Sequence, residues 1–281
     1  NKNNFGCIGV LMGGVSSERE ISLKSGQAVF QALSNQGYNV KAIDLNSDDE
    51  NTIIKILRDA DVDVFFIALH GRFGEDGTLQ QILDNLGIPY TGSGVIASRM
   101  ALDKVASREI FRKHHLAVPR YEVLNKPQES SLPFPVVVKP ATHGSSIGLT
   151  IVDSPQDLSL ALQLAFQYDT RVIVEEYIKG REVTVGILEQ SALPVIEIIP
   201  KRRFFDFQAK YEPGTEYIVP AQLPQEVFLN VQNVGLRAHQ SLGCRGFSRA
   251  DIIQSEENIP FILEINTIPG MPSSSLLPKA A

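Results

Sequence analysis

Arg249-Ala250-Asp251 and, further along, Glu264-Ile265-Asn266-Thr267-Ile268-Pro269-Gly270-Met271 set the topology and chemistry of this chain. They lie near the ends of two apolar runs, Phe247–Ile253 and Ile259–Ile265, joined by the polar turn Gln254–Asn258. Two such runs around a short polar segment predict paired strands. Side chains alternate across a strand, so Glu264 and Asn266 share a face, and Arg249 shares one with Asp251. Asp251, Glu264 and Asn266 then offer hard oxygen donors of the kind Mg²⁺ takes alongside substrate phosphates. A solvated hairpin with ordinary surface charges carries the same letters. Arg249 reads either as charge compensation for the acids or as a group that stabilises developing negative charge. Gly270 supplies a backbone N–H that could face an oxyanion.

Around this hairpin the chain alternates. Ile8–Met12 predicts a strand, Gly13–Ser17 a turn, Glu18–Asn35 a helix, Val40–Asp44 a strand, Thr52–Arg58 a helix and Val62–Leu69 a strand. Such βαβα order implies a parallel sheet with helices on both faces and ligands at the carboxyl ends of its strands. A second region starts near Ser93. It holds a helix over Ala97–His115, a strand over Val136–Lys139, a helix over Leu158–Ala165 and a strand over Val172–Glu176. Two more strands fall between Glu182 and Ile199, then a long loop over Phe204–Tyr217 and a helix over Gln225–Leu242. Loops of that length are often lids. Leu276–Ala281 reads as the first turn of a helix, which the expectation treats as cut short, and the absence of an initiating Met suggests missing N-terminal residues.

Composition narrows the class. The chain has 281 residues, a net charge of −6, 43% hydrophobic and 21% charged residues. That is ordinary for a globular protein, and the acidic balance argues against a nucleic-acid partner. No apolar run reaches the roughly 18 residues needed to span a membrane. Cys7 and Cys244 sit in apolar runs and form no CxxC, so buried free thiols in a reducing compartment are expected.

Four other segments carry candidate chemistry. Lys139 precedes Gly144-Ser145-Ser146-Ile147-Gly148, a strand, a lysine and a Gly/Ser-rich loop that can present N–H groups to phosphate. It lacks the Gly-Lys-Ser/Thr of a P-loop, and a plain surface loop looks similar. Val172–Ile178 ends in Glu175, Glu176, Tyr177 and Ile178; its backbone could pair with a base and Glu182 with a ribose, or it is an edge strand with solvated acids. Glu18 beside Gly13-Gly14 either complements a helix dipole or binds a substrate ammonium. His70 leads a segment with glycines at positions 71, 74 and 77, an unusual backbone path, though a turn histidine is equally ordinary.

Taken together these residues resemble the D-alanine–D-alanine ligases of the ATP-grasp superfamily. The matching segments include Gly13-Gly14-Val15-Ser16-Ser17-Glu18-Arg19-Glu20, Leu69-His70-Gly71-Arg72, Asp103-Lys104, Val138-Lys139-Pro140, Gly180-Arg181-Glu182, Ala209-Lys210-Tyr211 and Glu264–Met271, and they run through nearly the whole chain. The resemblance implies an α/β (α+β) ATP-grasp fold: a preATP-grasp domain over 1–93, a central subdomain over 94–182 and a C-terminal subdomain over 183–281. It implies that Lys104 and Lys139 contact the ATP phosphates, Glu175 and Ile178 the adenine and Glu182 the ribose, with Ser146, Glu176, Tyr177 and Lys210 also in the ATP site. Asp251, Glu264 and Asn266 would hold two Mg²⁺, with Mn²⁺ a substitute. Glu18 and His70 would bind the first D-alanine, Ser275 and Leu276 the second, and Arg249 with Gly270 the oxyanion. Ser145 and Tyr211 would link with Glu18 to close the site. The resemblance also implies a bacterial cytoplasmic homodimer serving peptidoglycan synthesis.

His143 departs from relatives that carry an acid there. Another ATP-grasp ligase would share the ATP and metal residues and differ at Glu18, His70, Tyr211, Ser275 and Leu276. A non-enzymatic nucleotide binder needs no Arg249. A nicotinamide enzyme is disfavoured by the missing GxGxxG after the first strand.

Overall fold

The computed structural model describes residues 5–200 and 215–281. The first layer is a parallel sheet of three strands in the order β2-β1-β3: β1 Cys7–Gly13, β2 Asn39–Leu45 and β3 Val64–Ile67. Every residue of β1 is buried, as a central parallel strand requires. Alternation along β1 sends Val10 and Met12 to one face and Leu11 to the other. Val10 and Met12 pack with Val29 of α1 (Arg19–Asn35), while Leu11 packs with Ile53 and Leu57 of α2 (Glu50–Asp59) and Leu79 and Leu83 of α3 (Thr78–Leu86). Asp49 caps α2 by accepting from Thr52 N at 2.9 Å. The sequence reading did not anticipate α3, because the glycine-rich approach to it hides the periodicity.

The expected helix over Ala97–His115 is two helices, α4 Val95–Leu102 and α5 Lys104–Lys113. Asp103 breaks them. Its backbone is extended, and its carboxylate accepts from Val105 N at 3.0 Å and Ala106 N at 3.1 Å. An Asp that can cap competes with continuing the helix. The break sets Lys104 at the first position of α5.

A second sheet has the antiparallel order β4-β7-β5-β6: β4 Tyr121–Leu124, β5 Val136–Pro140, β6 Thr150–Val152 and β7 Val172–Glu176. α6 (Pro155–Ala165) covers it through Leu158, Ala161 and Leu162. The third sheet runs β11-β10-β8-β12-β13, with β9 (Ser191–Ala192) paired to β8. Its strands are β8 Gly180–Leu188, β10 Ile196–Ile199, β11 Glu216–Ile218, β12 Phe247–Ser255 and β13 Pro260–Asn266. β8 spans the boundary expected at residue 182. α7 (Gln225–Ser241) buries Val231, Val234 and Ala238 against Val185, Ala250 and Ile265. A short helix, α8 (Leu276–Ala280), follows the hairpin. Cys7 and Cys244 are buried free thiols. No described helix is long and apolar enough to cross a membrane.

Candidate active site

β12 and β13 pair antiparallel with Arg249 opposite Asn266 and Asp251 opposite Glu264. A register shift follows between Asp251 and Ile252. Bulges of this kind re-aim side chains beside functional sites. Arg249, Asp251, Glu264 and Asn266 therefore share one face, while Ala250 and Ile265 point into the core beneath α7. Arg249 grips Asp251 with two hydrogen bonds, Nε to Oδ1 at 2.8 Å and Nη2 to Oδ2 at 2.7 Å. Thr184, opposite Asp251 on β8, also donates to Oδ1 at 2.7 Å. Glu264 is held by Lys104 Nζ at 3.1 Å, and Lys104 also donates to His143 O at 2.7 Å. Asn266 Oδ1 accepts from Ile268 N at 3.2 Å.

Two cavities meet here. The larger, about 920 Å³, is lined by Glu18, His70, Glu75, Ser145, Arg249, Gly270, Ser275 and Leu276, among others. The smaller, about 130 Å³, is lined by Lys139, Ser146, Glu175, Glu176, Tyr177, Ile178, Glu182 and Asp251, among others. Among the described residues, Lys104 and Glu264 alone line both. The larger cavity draws on the parallel sheet region and the third sheet; the smaller lies between the two antiparallel sheets.

In the larger cavity Ser145 Oγ donates to the buried Glu18 carboxylate, tying the Gly/Ser loop to the start of α1. Ser145 and Ser146 both have positive φ, 54° and 57°, a strained path that aims the loop. Gly71, φ +77°, passes so close to Glu18 that a Cβ would stand 2.8 Å from Oε2. His70 is buried, and its Nε2 shares a 2.7 Å hydrogen bond with Ser25 Oγ. Burial lowers its pKa to about 4, so the imidazole is neutral at pH 7. Glu75 accepts from Gly71 N at 2.6 Å. Burial and then the Glu18 charge push its carboxyl well above the usual range. Glu75 has no role in the sequence analysis; an acid inside a three-glycine segment was the available signal.

In the smaller cavity Val137 of β5 stands opposite Glu175 of β7, so Lys139, two residues on, shares its face. Lys139 Nζ meets Glu175 Oε1 at 2.7 Å, and Arg108 of α5 meets Oε2. Burial lowers the Lys139 pKa to about 8 despite Glu175. Burial works to raise Glu175, but Arg108 and Lys139 together hold it below the ordinary value. The Glu175 carboxylate is thus committed to two cations, and its backbone lies in β7 between β4 and β5. Glu176 is also engaged, with Arg120 Nε at 2.6 Å. Lys210 and Tyr211 lie outside the described residues. Arg108 was not singled out in the sequence, because nothing local marks a helix arginine that turns inward.

Two antiparallel sheets closing on a lysine-lined pocket, with paired carboxylates at its inner end and a second cavity beyond, define the ATP-grasp class of ligases. Family models agree segment by segment. "D-ala D-ala ligase N-terminus" matches residues 7–58 and 47–93, and "D-ala D-ala ligase C-terminus" matches 102–281. The chain is 50% identical to the D-alanine–D-alanine ligase of Geotalea uraniireducens, over 98% of this chain and 89% of that one. It is likewise 50% identical to that of Trichlorobacter lovleyi, over 98% and 88%. Its structure is similar to a Bacillus anthracis D-alanine–D-alanine ligase complexed with ATP, at TM-score 0.84 and 35% identity, over 98% and 90%. It is also similar to the Enterococcus faecalis VanG D-Ala:D-Ser ligase, at 0.82 and 29%, over 98% and 93%. The chain belongs to the D-alanine–D-alanine ligase family.

Proposed function

We propose that this protein joins two D-alanines at the expense of ATP, with ATP in the smaller cavity and both amino acids in the larger. The observation that carries this reading is that, among the described residues, the two cavities share Lys104 and Glu264, where a γ-phosphate would pass between them. Lys104 and Lys139 hold the phosphates, with Ser146 in the same cavity; Tyr177 and Ile178 line the base and Glu182 the ribose, and Lys210 is assigned to ATP on the family resemblance alone. Glu18 takes the ammonium of the first D-alanine and His70 lies by its carboxylate. That carboxylate attacks the γ-phosphorus, forming an acyl phosphate and releasing ADP. The amine of the second D-alanine, placed by Ser275 and Leu276, attacks the carbonyl carbon; the C–N bond forms, the amine loses a proton, and phosphate leaves with the C–O bond. Arg249 and the Gly270 N–H stabilise the tetrahedral oxyanion, roughly 3 kcal/mol per donor. Ser145 links to Glu18; the roles of Tyr211 in that closure and of Lys210 and Tyr211 in keeping water from the acyl phosphate are proposed on the family resemblance, both residues lying outside the described ones.

Asp251, Glu264 and Asn266 suit two Mg²⁺, or Mn²⁺ in their place. Their donors are hard oxygens on one face, and the two carboxylates stand opposite each other with a cation already against each. Two carboxylates and one amide leave coordination positions that substrate phosphates and water would fill, as is usual for Mg²⁺. The ions would neutralise charge on the phosphates. A bacterial cytoplasmic homodimer feeding peptidoglycan precursors completes the proposal, on the family resemblance. The test is phosphate release from ATP with Mg²⁺ and D-alanine, against L-alanine, D-alanine with D-lactate, D-alanine with D-serine, and no amino acid. Release that requires D-alanine and yields the dipeptide by mass is expected; release without dipeptide rejects the reading.

A further inference from the structure

Arg108 has no exposed surface, and the phosphate-binding reading does not use it. Its Nη2 donates to Glu175 Oε2, and its guanidinium carbon lies 5.0 Å from the centre of the Tyr121 ring. Its Nε and Nη1 find no hydrogen-bond partner among the described residues. A buried guanidinium with unmet N–H groups is costly, and replacing a whole buried ion cluster by apolar side chains of similar volume is often neutral or stabilising. Stability alone is therefore a poor reason for building the Arg108–Glu175–Lys139 cluster here.

The geometry supplies a better one. Glu175 receives Arg108 on one oxygen and Lys139 on the other. Lys139 and Glu175 line the smaller cavity; Arg108 stands behind them, outside its lining. A Lys139–Glu175 pair alone is neutral, with the ammonium committed to the carboxylate. Adding Arg108 gives the cluster a net positive charge, and Lys139 is its one cation facing the cavity. Arg108 also fixes the carboxylate, which in turn fixes the reach of Lys139. The planar guanidinium is suited to hold a carboxylate in one orientation, which a flexible ammonium is not.

We propose that Arg108 is a positioning residue for the nucleotide: it holds Glu175 from behind, so that Lys139 presents its charge to the ATP phosphates. The proposal rests on the reading of the smaller cavity as the nucleotide site. Arg108 touches neither substrate, so its effect must pass through Glu175 and Lys139, and it must be felt by phosphates rather than by the base.

The experiment compares Arg108→Lys, Arg108→Met, Lys139→Met and the double variants at 108 and 139. It reads KM for ATP, KM for D-alanine, and inhibition by ADP and by adenosine. Arg108→Met should raise KM for ATP and the ADP inhibition constant about tenfold, the loss that follows from misplacing one charge-assisted hydrogen bond. The adenosine inhibition constant and KM for D-alanine should stay within about twofold, and Arg108→Lys should recover part of the loss. Introducing either change into Lys139→Met should add nothing further for ATP, because the route is already cut. Equal losses for ADP and adenosine, or additive losses in the double variants, overturn the proposal in favour of a packing role. If Arg108→Met does not fold, Arg108→Lys alone and with Lys139→Met carries the same comparison. If Lys139→Met itself leaves ATP and ADP unaffected, the nucleotide-site reading is what fails.

Discussion

Glu264 lies where three demands converge: it faces Asp251 across the hairpin, accepts Lys104, and borders both cavities. A neutral amide of the same shape keeps the packing and removes the charge. Glu264→Gln is therefore expected to lower D-alanine-dependent phosphate release by at least about a hundredfold, with the fold retained by circular dichroism. Turnover near that of the parent would reject the metal assignment. His70 makes a different, measurable demand. Its pKa is about 4 in the folded protein against 6.5 ordinarily, mainly through burial. As pH falls below 6.5 the unfolded chain binds the proton first, so stability present at higher pH is lost progressively down to about pH 4. Between pH 7 and pH 5 this one residue should cost about 2 kcal/mol. Urea unfolding of His70→Asn at the two pH values should show a smaller loss than the parent by about that amount; identical pH dependence would mean that the buried imidazole does not titrate in this way.

At the scale of elements, Asp103 shows how one side chain divides a helix and places Lys104, the lysine proposed to hold the ATP phosphates. Its carboxylate caps α5 and also meets Arg171 Nη2 at 2.7 Å. Asp103→Ala should destabilise the protein by about 1–2 kcal/mol through the cap. It should also raise KM for ATP, since Lys104 begins the helix that the cap starts; a stability loss with unchanged KM would separate the two roles. The same residue marks a limit of the sequence. The apolar pattern over Ala97–His115 continues through the break, and only the competition between a capping carboxylate and one more helical turn ends α4. Short apolar runs bounded by turn residues made β1, β2, β5, β7, β12 and β13 legible, and strand geometry then gave the shared face of Glu264 and Asn266. β4, β6 and β9 are too short to display a period, and α3 follows a run of glycines. Arg108 and Glu75 escaped notice because their roles come from what lies against them in space. An inward arginine and a raised carboxyl have no local signature.

Over the whole molecule, the two cavities draw on different parts. All residues lining the smaller fall between Lys104 and Glu264, whereas the larger also needs Glu18, His70 and Glu75 from the parallel-sheet region. On the proposed assignment of amino acids to the larger cavity and nucleotide to the smaller, the parallel sheet must be held in register with the third sheet for the former but not for the latter. Contacts far from the chemistry do the holding: Arg245 Nε donates to Gly92 O at 2.7 Å, its guanidinium carbon lies 5.2 Å from the centre of the Tyr90 ring, and Phe247 stacks on Phe66 at 5.8 Å. Arg245→Ala removes the first two and leaves the stack. It is expected to raise KM for D-alanine about fivefold, for roughly 1 kcal/mol of lost hydrogen bonding, while KM for ATP stays within about twofold. Steady-state kinetics in each substrate separates the outcomes. A matching rise for ATP would mean that the parallel sheet also supports the nucleotide pocket, and no rise for either would mean that the Phe66–Phe247 stack and the Ser145–Glu18 link hold the register without Arg245.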